Sequence, residues 1–424
     1  AIFRGTDAAD SITGTAGNDI IVGLGGDDAL YGDIGNDTLD GGTGNDTYEF
    51  GHGYGQDTIR EYDTTAGNSD TIRLAADVAP ADVTLWRDAS NLYLGINGTS
   101  DTMMVQGWYD DPAYRVEQVK FADGTVWNEA ALVAAKLYST DSDDIVAGTY
   151  CDDIADGRVG NDYILGDAGN DLLDGGVGND ILDGGADNDI LADAVGNNLL
   201  MGGGGDDAMT AGGSGNLLIG GSGNDSITLE AGAAVLSFNR GDGQDTVNFG
   251  AGMGDVTVTL GGGIDYTDLA FGKTGNDLIF GTGVDESITL KDWFSSPAGH
   301  GTVTLQVIAE SIPGFDPLSG DPLLSQKVQT FDFASLANRF DAELAADPTM
   351  TSWNLMNGLL DAHLASSDGA ALGGDLAYQY GVSGALAGIG LAAAQDVLAS
   401  PQFGSQAQSL RPWSGLNSGA VQLS

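Results

Sequence analysis

Aspartate recurs in this chain at a fixed interval. Asp10, Asp19, Asp28, Asp37 and Asp46 stand nine residues apart, and Asp144, Asp153, Asp162, Asp171, Asp180, Asp189, Asp207 and Asp225 keep the same step, with Asn198 and Asn216 in two of the places. Short carboxylates repeated among glycines suit tight turns that present oxygen atoms. Several oxygen ligands per ion, from carboxylates and turn carbonyls, are what calcium takes. Asp supplies 54 of the 62 acidic residues. A merely solvated acidic surface would mix in Glu, so the bias points to a use at the level of the backbone turn. Only 14 Lys and Arg oppose these acids, and the formal charge is −48. That charge argues against nucleic acid or an anionic membrane as a partner. It also predicts self-repulsion in the bare chain, which divalent cations relieve.

The elements that position these carboxylates follow from the repeat. From Gly5 the chain reads GTDAADSIT, GTAGNDIIV, GLGGDDALY, GDIGNDTLD, GGTGNDTYE, and a second array begins near Ser139. Asp occupies the sixth slot. The eighth slot is apolar: Ile12, Ile21, Leu30, Leu39 and Tyr48, then Val146, Ala155, Ile164, Leu173, Leu182, Leu191, Leu200, Met209, Leu218 and Ile227. Glycine in the early slots permits positive φ. Asn in the fifth slot (Asn18, Asn36, Asn45, Asn161, Asn170, Asn179) is expected to tolerate the left-handed region. Slots seven to nine read as a short strand with slot eight turned inward. One such strand cannot bury its face alone, but stacked coils share a narrow core.

The pattern resembles the RTX, or haemolysin-type, calcium-binding nonapeptide GGxGxDxUx, and fifteen copies hold the period. The resemblance implies right-handed parallel β-rolls with two nonapeptides per coil, so that copy n shares an ion with copy n+2. It also implies Ca2+ as the cofactor and export of an unfolded chain through a type I secretion exporter. Asp57 and Asp245, which end the related phrases GHGYGQDTI and NRGDGQDTV, join the expected metal ligands.

The stretches after the arrays are duplicated. Asp82-Val83-Thr84-Leu85 matches Asp268-Leu269-Ala270-Phe271, Asn91-Leu92-Tyr93-Leu94 matches Asp277-Leu278-Ile279-Phe280, and Met103-Met104-Val105 with Trp108 matches Ile288-Thr289-Leu290 with Trp293. Alternating polarity and turn signals at Asn97-Gly98 and Asp123-Gly124 predict antiparallel strands that cover each roll end. These stretches resemble the domain that commonly follows RTX arrays. Trp86, Trp108, Trp127 and Trp293 are read as core rather than as a carbohydrate platform. Beyond Pro317 the spacing turns helical. Helices are predicted over Phe333–Leu344, from Asp347-Pro348 through Trp353, Met356, Leu360, His363 and Leu364, over Leu372–Tyr380 ending at Gly381, and over Leu386–Ala399. Position after the arrays makes this region a candidate export signal, with a small helical interaction domain as the other reading.

The fold class expected is mainly all-β: two parallel β-rolls, each followed by an antiparallel β capping segment, plus a small α-helical C-terminal region. The boundaries are 1–57 for the first roll, 58–137 for its cap, 138–245 for the second roll, 246–316 for its cap, and 317–424 for the helical region. No apolar run reaches the about 18 residues of a membrane span. Cys151 is the only cysteine, so no intramolecular disulfide forms, and it occupies slot four of a repeat. No H-E-x-x-H or G-x-S-x-G occurs, and His52, His300 and His363 lie far apart. The expectation is therefore no enzyme, but a calcium-binding region of a secreted bacterial surface protein, toxin or adhesin, extracellular and associated with a cell-surface or self-assembly partner. The alternatives are the RTX tail of a lipase, protease or epimerase, or a self-assembling surface-layer protein. One asymmetry is expected. Asp153 to Asp225 should form an unbroken row, whereas the row from Asp144 should fade after Asp180, at Asn198 and Asn216.

Overall fold

The nine-residue period becomes an eighteen-residue coil. Ile2 pairs with Ile20 and Ile20 with Thr38, in parallel register. Ser11 pairs in the same way with Ala29, and Ala29 with Thr47. In this computed structural model, which describes residues 1–295 and 301–424, the chain forms two compact units, Ala1–Tyr138 and Ser139–Ser424. His300 lies outside the described residues.

In the first unit, one parallel face holds Ile2–Arg4, Ile20–Gly25, Thr38–Thr43 and Gln56–Ile59, and the other holds Ser11–Thr13, Ala29–Tyr31, Thr47–Phe50 and Thr71–Leu74. The second unit repeats the plan at greater length. One face runs in parallel from Ile145–Thr149 through to Val303–Ile308, and the other from Ile154–Asp156 through to Glu286–Leu290. Slot eight points inward: Ile21, Leu30, Leu39, Tyr48, Ile164, Leu173, Leu182, Leu191, Leu200, Leu218 and Ile227 are fully buried. Each coil adds one such residue per face, so the core is two side chains thick and grows only by stacking.

The duplicated segments build the same meander twice. Thr102–Val105 adds in parallel to Gln56–Ile59, and Leu92–Ile96 and Val83–Arg87 then follow antiparallel. Glu286–Leu290 adds in parallel to Gln244–Phe249, followed by antiparallel Asp277–Gly283 and Ala270–Thr274. Leu85, Leu94 and Met103 stand side by side, as do Phe271, Phe280 and Ile288. Trp108 and Trp293 are buried. Trp108 Nε1 donates to the Val116 carbonyl at 3.0 Å, which is core packing of an indole with its polar edge satisfied.

Two expectations need correction. Slot five is not left-handed: Asn18, Asn36, Asn45, Asn161, Asn170 and Asn179 are absent from the positive-φ positions, which fall in slots two and four, such as Gly42 and Gly44 or Arg158 and Gly160. The slot-five side chains instead bond the next coil. The Asn161 N–H donates to Asp143 Oδ1 at 2.8 Å, and Asn161 Oδ1 accepts from the Asn179 N–H at 2.9 Å. The second predicted helix is also broken. Trp353–Asn354 is a strand paired with Ala270 and Phe271, Leu355–Asn357 and Leu359–Ala362 are single turns around Gly358, and His363–Ser367 pairs antiparallel with Val328–Asp332. Open sheet edges took residues whose spacing alone was helical.

The other helices form, with shifted ends. Phe333–Ala346 is capped by Asp332, whose side chain accepts from the Ser335 N–H, and it buries Phe333, Leu336, Ala337 and Phe340. Gly374–Ser383 runs past Gly381 to a left-handed Gly384. Gly381 packs so closely on Ile308 that a Cβ would collide with it. Leu391–Leu398 is the last substantial helix. Both of these later helices lie on the second roll. Tyr163, Ile181, Leu199, Leu217 and Val235, outward-facing slot-seven residues of successive coils, share a buried cluster with Leu376, Ala377, Ala394, Val397, Leu398 and Phe403. Among the described residues no helix is long and apolar enough to cross a membrane.

Candidate metal centre

Stacking turns the repeated aspartates into four columns. In the first roll these are Asp10–Asp28–Asp46 and Asp19–Asp37–Asp57. In the second they are Asp144–Asp162–Asp180–Asn198–Asn216 and Asp153–Asp171–Asp189–Asp207–Asp225–Asp245. One bond builds every column: the backbone N–H of a slot-six residue donates to the side-chain Oδ1 of the slot-six residue in the next coil. The distance is 2.7 Å for Asp10 to Asp28, 2.8 Å for Asp28 to Asp46, 2.9 Å for Asp37 to Asp57, 2.8 Å for Asp189 to Asp207 and 2.9 Å for Asp225 to Asp245.

With Oδ1 engaged, the second oxygen decides what the column can do. The Oδ2 atoms of Asp28, Asp37, Asp46, Asp57, Asp162, Asp180, Asp189, Asp207 and Asp225 are buried without a hydrogen-bond partner. All but that of Asp57, whose copy has His52 in slot one, lie beside a slot-one glycine, and in most coils the carbonyl of the next slot-one glycine converges on the same space. A Cβ on Gly23 would overlap Asp28 Oδ2 and the Gly41 carbonyl, and one on Gly184 would overlap Asp189 Oδ2 and the Gly202 carbonyl. Glycine is required there because the oxygens occupy the position of a side chain. Burial pushes the carboxyl of Asp46 up to about 6, those of Asp57, Asp180, Asp189 and Asp225 up to about 7, and that of Asp245 to about 8. Buried carboxylates with oxygen-only surroundings cost heavily unless a cation is supplied. The donor set, carboxylate and carbonyl oxygen, fits a hard divalent ion of the calcium type.

The first copy of each column differs. Thr6, Thr15, Thr140 and Thr149 occupy slot two, and their N–H and Oγ1 groups donate to Oδ2 of Asp10, Asp19, Asp144 and Asp153, at 2.6–2.7 Å for the N–H bonds. These four aspartates are held by the protein on both oxygens or on the free one, as column ends.

Sequence reading missed two residues at the other end of the first roll. The Asp46 N–H donates to Asp70 Oδ1 at 2.7 Å, so Asp70 is the next member of that column, 24 residues on rather than 18. Glu61 lies beside it, accepting from the Tyr48 hydroxyl and from the Tyr62 N–H. Asp46, Glu61 and Asp70 can bring one oxygen each within 4.8 Å of one another, all buried. Burial raises Asp70 to about 7 and Glu61 to about 9. Extra turn residues between Asp46 and Asp70, two before Asp57 and four after it, hide this continuation from any fixed period. The nearest sequence signal is the apolar pair Ile72 and Leu74 that follows Asp70. Among the described residues outside the columns, His52 is exposed, Cys151 is a free thiol in its turn, and His363 Nε2 meets Gln329 Oε1 at 2.9 Å.

Comparisons with known proteins agree with this geometry. The RTX calcium-binding nonapeptide repeat profile matches in overlapping copies across 4–56 and 138–233, and the haemolysin-type calcium binding protein related domain matches 91–131. The chain is 34% identical over 98 residues to the iron-regulated protein FrpA of Neisseria meningitidis serogroup C, a stretch that covers 22% of this chain and 9% of that one. It is also similar to the crystal structure of the extracellular lipase LipA from Serratia marcescens, at 16% identity and a TM-score of 0.21, covering 68% of this chain and 37% of the lipase. The chain thus spans only a minor part of either relative. Repeat matches in both arrays, and a roll that stacks them two to a coil, show that the chain carries two arrays of RTX, haemolysin-type, calcium-binding nonapeptide repeats.

Proposed function

We propose that the chain is the calcium-dependent, non-catalytic portion of a secreted bacterial surface protein, toxin or adhesin, which folds when it meets calcium outside the cell. The observation that carries this is the set of buried Oδ2 atoms, stacked coil on coil, with no protein partner. Asp28, Asp37, Asp46, Asp57, Asp162, Asp171, Asp180, Asp189, Asp207, Asp225 and Asp245 would hold the ions, with slot-one carbonyls completing the donor set. Calcium supplies the positive charge that offsets the column of carboxylates. The chain's own part is to hold Oδ1 on the next coil and aim Oδ2 into the gap. Because the unfolded chain has no such gap, binding free energy becomes folding free energy.

Export through a type I exporter accords with this scheme. The chain would pass unfolded through a low-calcium cytosol and set outside. The C-terminal helices support the candidate signal role only in that unfolded form, since in the folded chain they lie on the second roll. Circular dichroism of the whole chain tests the proposal. Excess chelator near neutral pH should abolish most β signal, and millimolar calcium should restore it. Equal β content in both conditions would sink the reading.

A further inference from the structure

The column that loses its aspartate at Asn198 does not lose its carboxylate. Slot one of the second array is glycine in most copies, but in the copy carrying Asn198 it is Asp193. Asp193 is 2% exposed. Its Oδ1 accepts from the Val195 N–H at 3.0 Å, and its Oδ2 has no partner. The Asp180 carboxylate, fully buried, likewise has Oδ2 unpartnered. Both free oxygens lie beside Gly175, where a Cβ would stand 2.2 Å from Asp193 Oδ2 and 3.0 Å from Asp180 Oδ2. In the preceding coil the corresponding place beside Gly157 is shared by Asp162 Oδ2 and the Gly175 carbonyl. At position 193 that backbone carbonyl is withdrawn, because it accepts from the Gly212 N–H at 2.7 Å. The side chain has taken the carbonyl's place and brought a charge.

We infer that Asp193 is a calcium ligand outside the nonapeptide pattern, closing with Asp180 an ion site in the interval between the Asp180 and Asn198 coils. The inference rests on the calcium-column reading and changes its count: the column runs one interval further than slot six alone allows. Asn198 contributes only its Oδ1 bond to the Asp180 N–H, at 2.9 Å. The exchange is internal to one copy, with charge lost at slot six and regained at slot one. The following interval has no such repair. Slot one there is Ala211, and Asn216 Nδ2 donates back to the Gly212 carbonyl. The column therefore ends at Asp193. Burial, with the charge of Asp180 beside it, pushes the Asp193 carboxyl well above the usual carboxylate range.

The test is a crystal structure of the whole chain grown in calcium, with anomalous data that locate the ions. A peak about 2.3–2.6 Å from both Asp180 and Asp193 is expected. Native mass spectrometry should then count one ion fewer in Asp193→Asn than in the parent. The double variant Asp193→Gly with Asn198→Asp, which moves the carboxylate back to slot six, should restore the count. Peaks in the Asp189–Asp207 interval with none at Asp193 would overturn this inference and leave the columns standing. No peak in either interval would overturn both. The parent crystal decides the matter even if Asp193→Asn does not fold.

Discussion

Asp207 separates the two jobs of a slot-six aspartate. Its Oδ1 accepts from the buried Asp189 N–H at 2.8 Å, and its Oδ2 is free for a metal. Asn198 already shows what an amide does at slot six: its Oδ1 keeps the same bond, to the Asp180 N–H, at 2.9 Å. Asp207→Asn should therefore retain the coil-to-coil bond and lose only ligand charge. Asp207→Ala loses both, and leaves the Asp189 N–H buried and unpaired. An orphaned buried donor costs about 1–3 kcal/mol. Calcium affinity, measured by calorimetry, should fall similarly in the two variants because each removes one carboxylate. Denaturant unfolding in saturating calcium should then place Ala about 1–3 kcal/mol below Asn. Equal unfolding free energies would refute the claim that Oδ1 holds the coils together independently of metal.

Other outcomes follow from the same structure. Asp57, Asp189 and Asp225 titrate at about 7 when folded against an ordinary value of 3.8. Their contribution to the calcium-free fold is thus fully present below about 3.8 and lost as pH rises through 7. In chelator, β signal should be stronger at pH 4 than at pH 7.5, and the reverse order would count against burial as the cause. Leu200→Ala opens a void in a core two side chains thick and should cost about 2–5 kcal/mol in calcium-saturated unfolding; a loss below that range would mean that neighbouring coils collapse to fill it. Truncation after Asp368 uncovers Ile181, Leu199, Leu217 and Val235, and should raise binding of a hydrophobic dye while the Asp153–Asp245 column keeps its ions. Unchanged dye binding would show that the helices are not that face's cover.

The roll was legible because its determinants are periodic and local. Slot eight, slot six and the early glycines each have one physical role, and a search for fixed spacing finds them. What was not legible breaks the period or depends on a distant partner. Asp70 follows Asp46 by 24 residues, so only the folded register reveals it as the next column member. Asp193 looks like a lapse from glycine until its oxygen is seen beside Asp180. The segment around Trp353 and His363 carries helical spacing, yet pairing with Phe271 and with Val328–Asp332 prevails, since tertiary context overrides a weak local preference. The left-handed reading of slot five failed because slots two and four already make the turn, which leaves the Asn side chains to ladder between coils.

The C-terminal helices also explain why one column can fade without the roll coming apart. The strands that follow Asp180, Asn198 and Asn216 are those the helices cover. Where the slot-six charge disappears, those strands lengthen, to Asn197–Gly204 and Gly215–Ser222, and become apolar on both faces. Leu200 and Leu218 point into the roll, while Leu199, Met201, Leu217 and Ile219 point out to the cluster with Ala394, Leu398 and Phe403. The helices bond these coils as well: Asn197 Nδ2 donates to the Leu398 carbonyl at 2.8 Å and to that of Ser400 at 3.2 Å. On the opposite face the aspartates persist to Asp245, and the slot-seven residues Leu172 and Ile190 are left exposed. Full burial of a Leu or Ile side chain contributes about 1.5–3 kcal/mol, so each covered coil gains from packing a stabilisation of the kind its neighbours would draw from metal. The two faces of one roll therefore differ: the aspartate column runs the whole length of one, whereas on the other it gives way part-way along to apolar cover by the chain's own C-terminus. Asp193 stands where the column gives way to that cover.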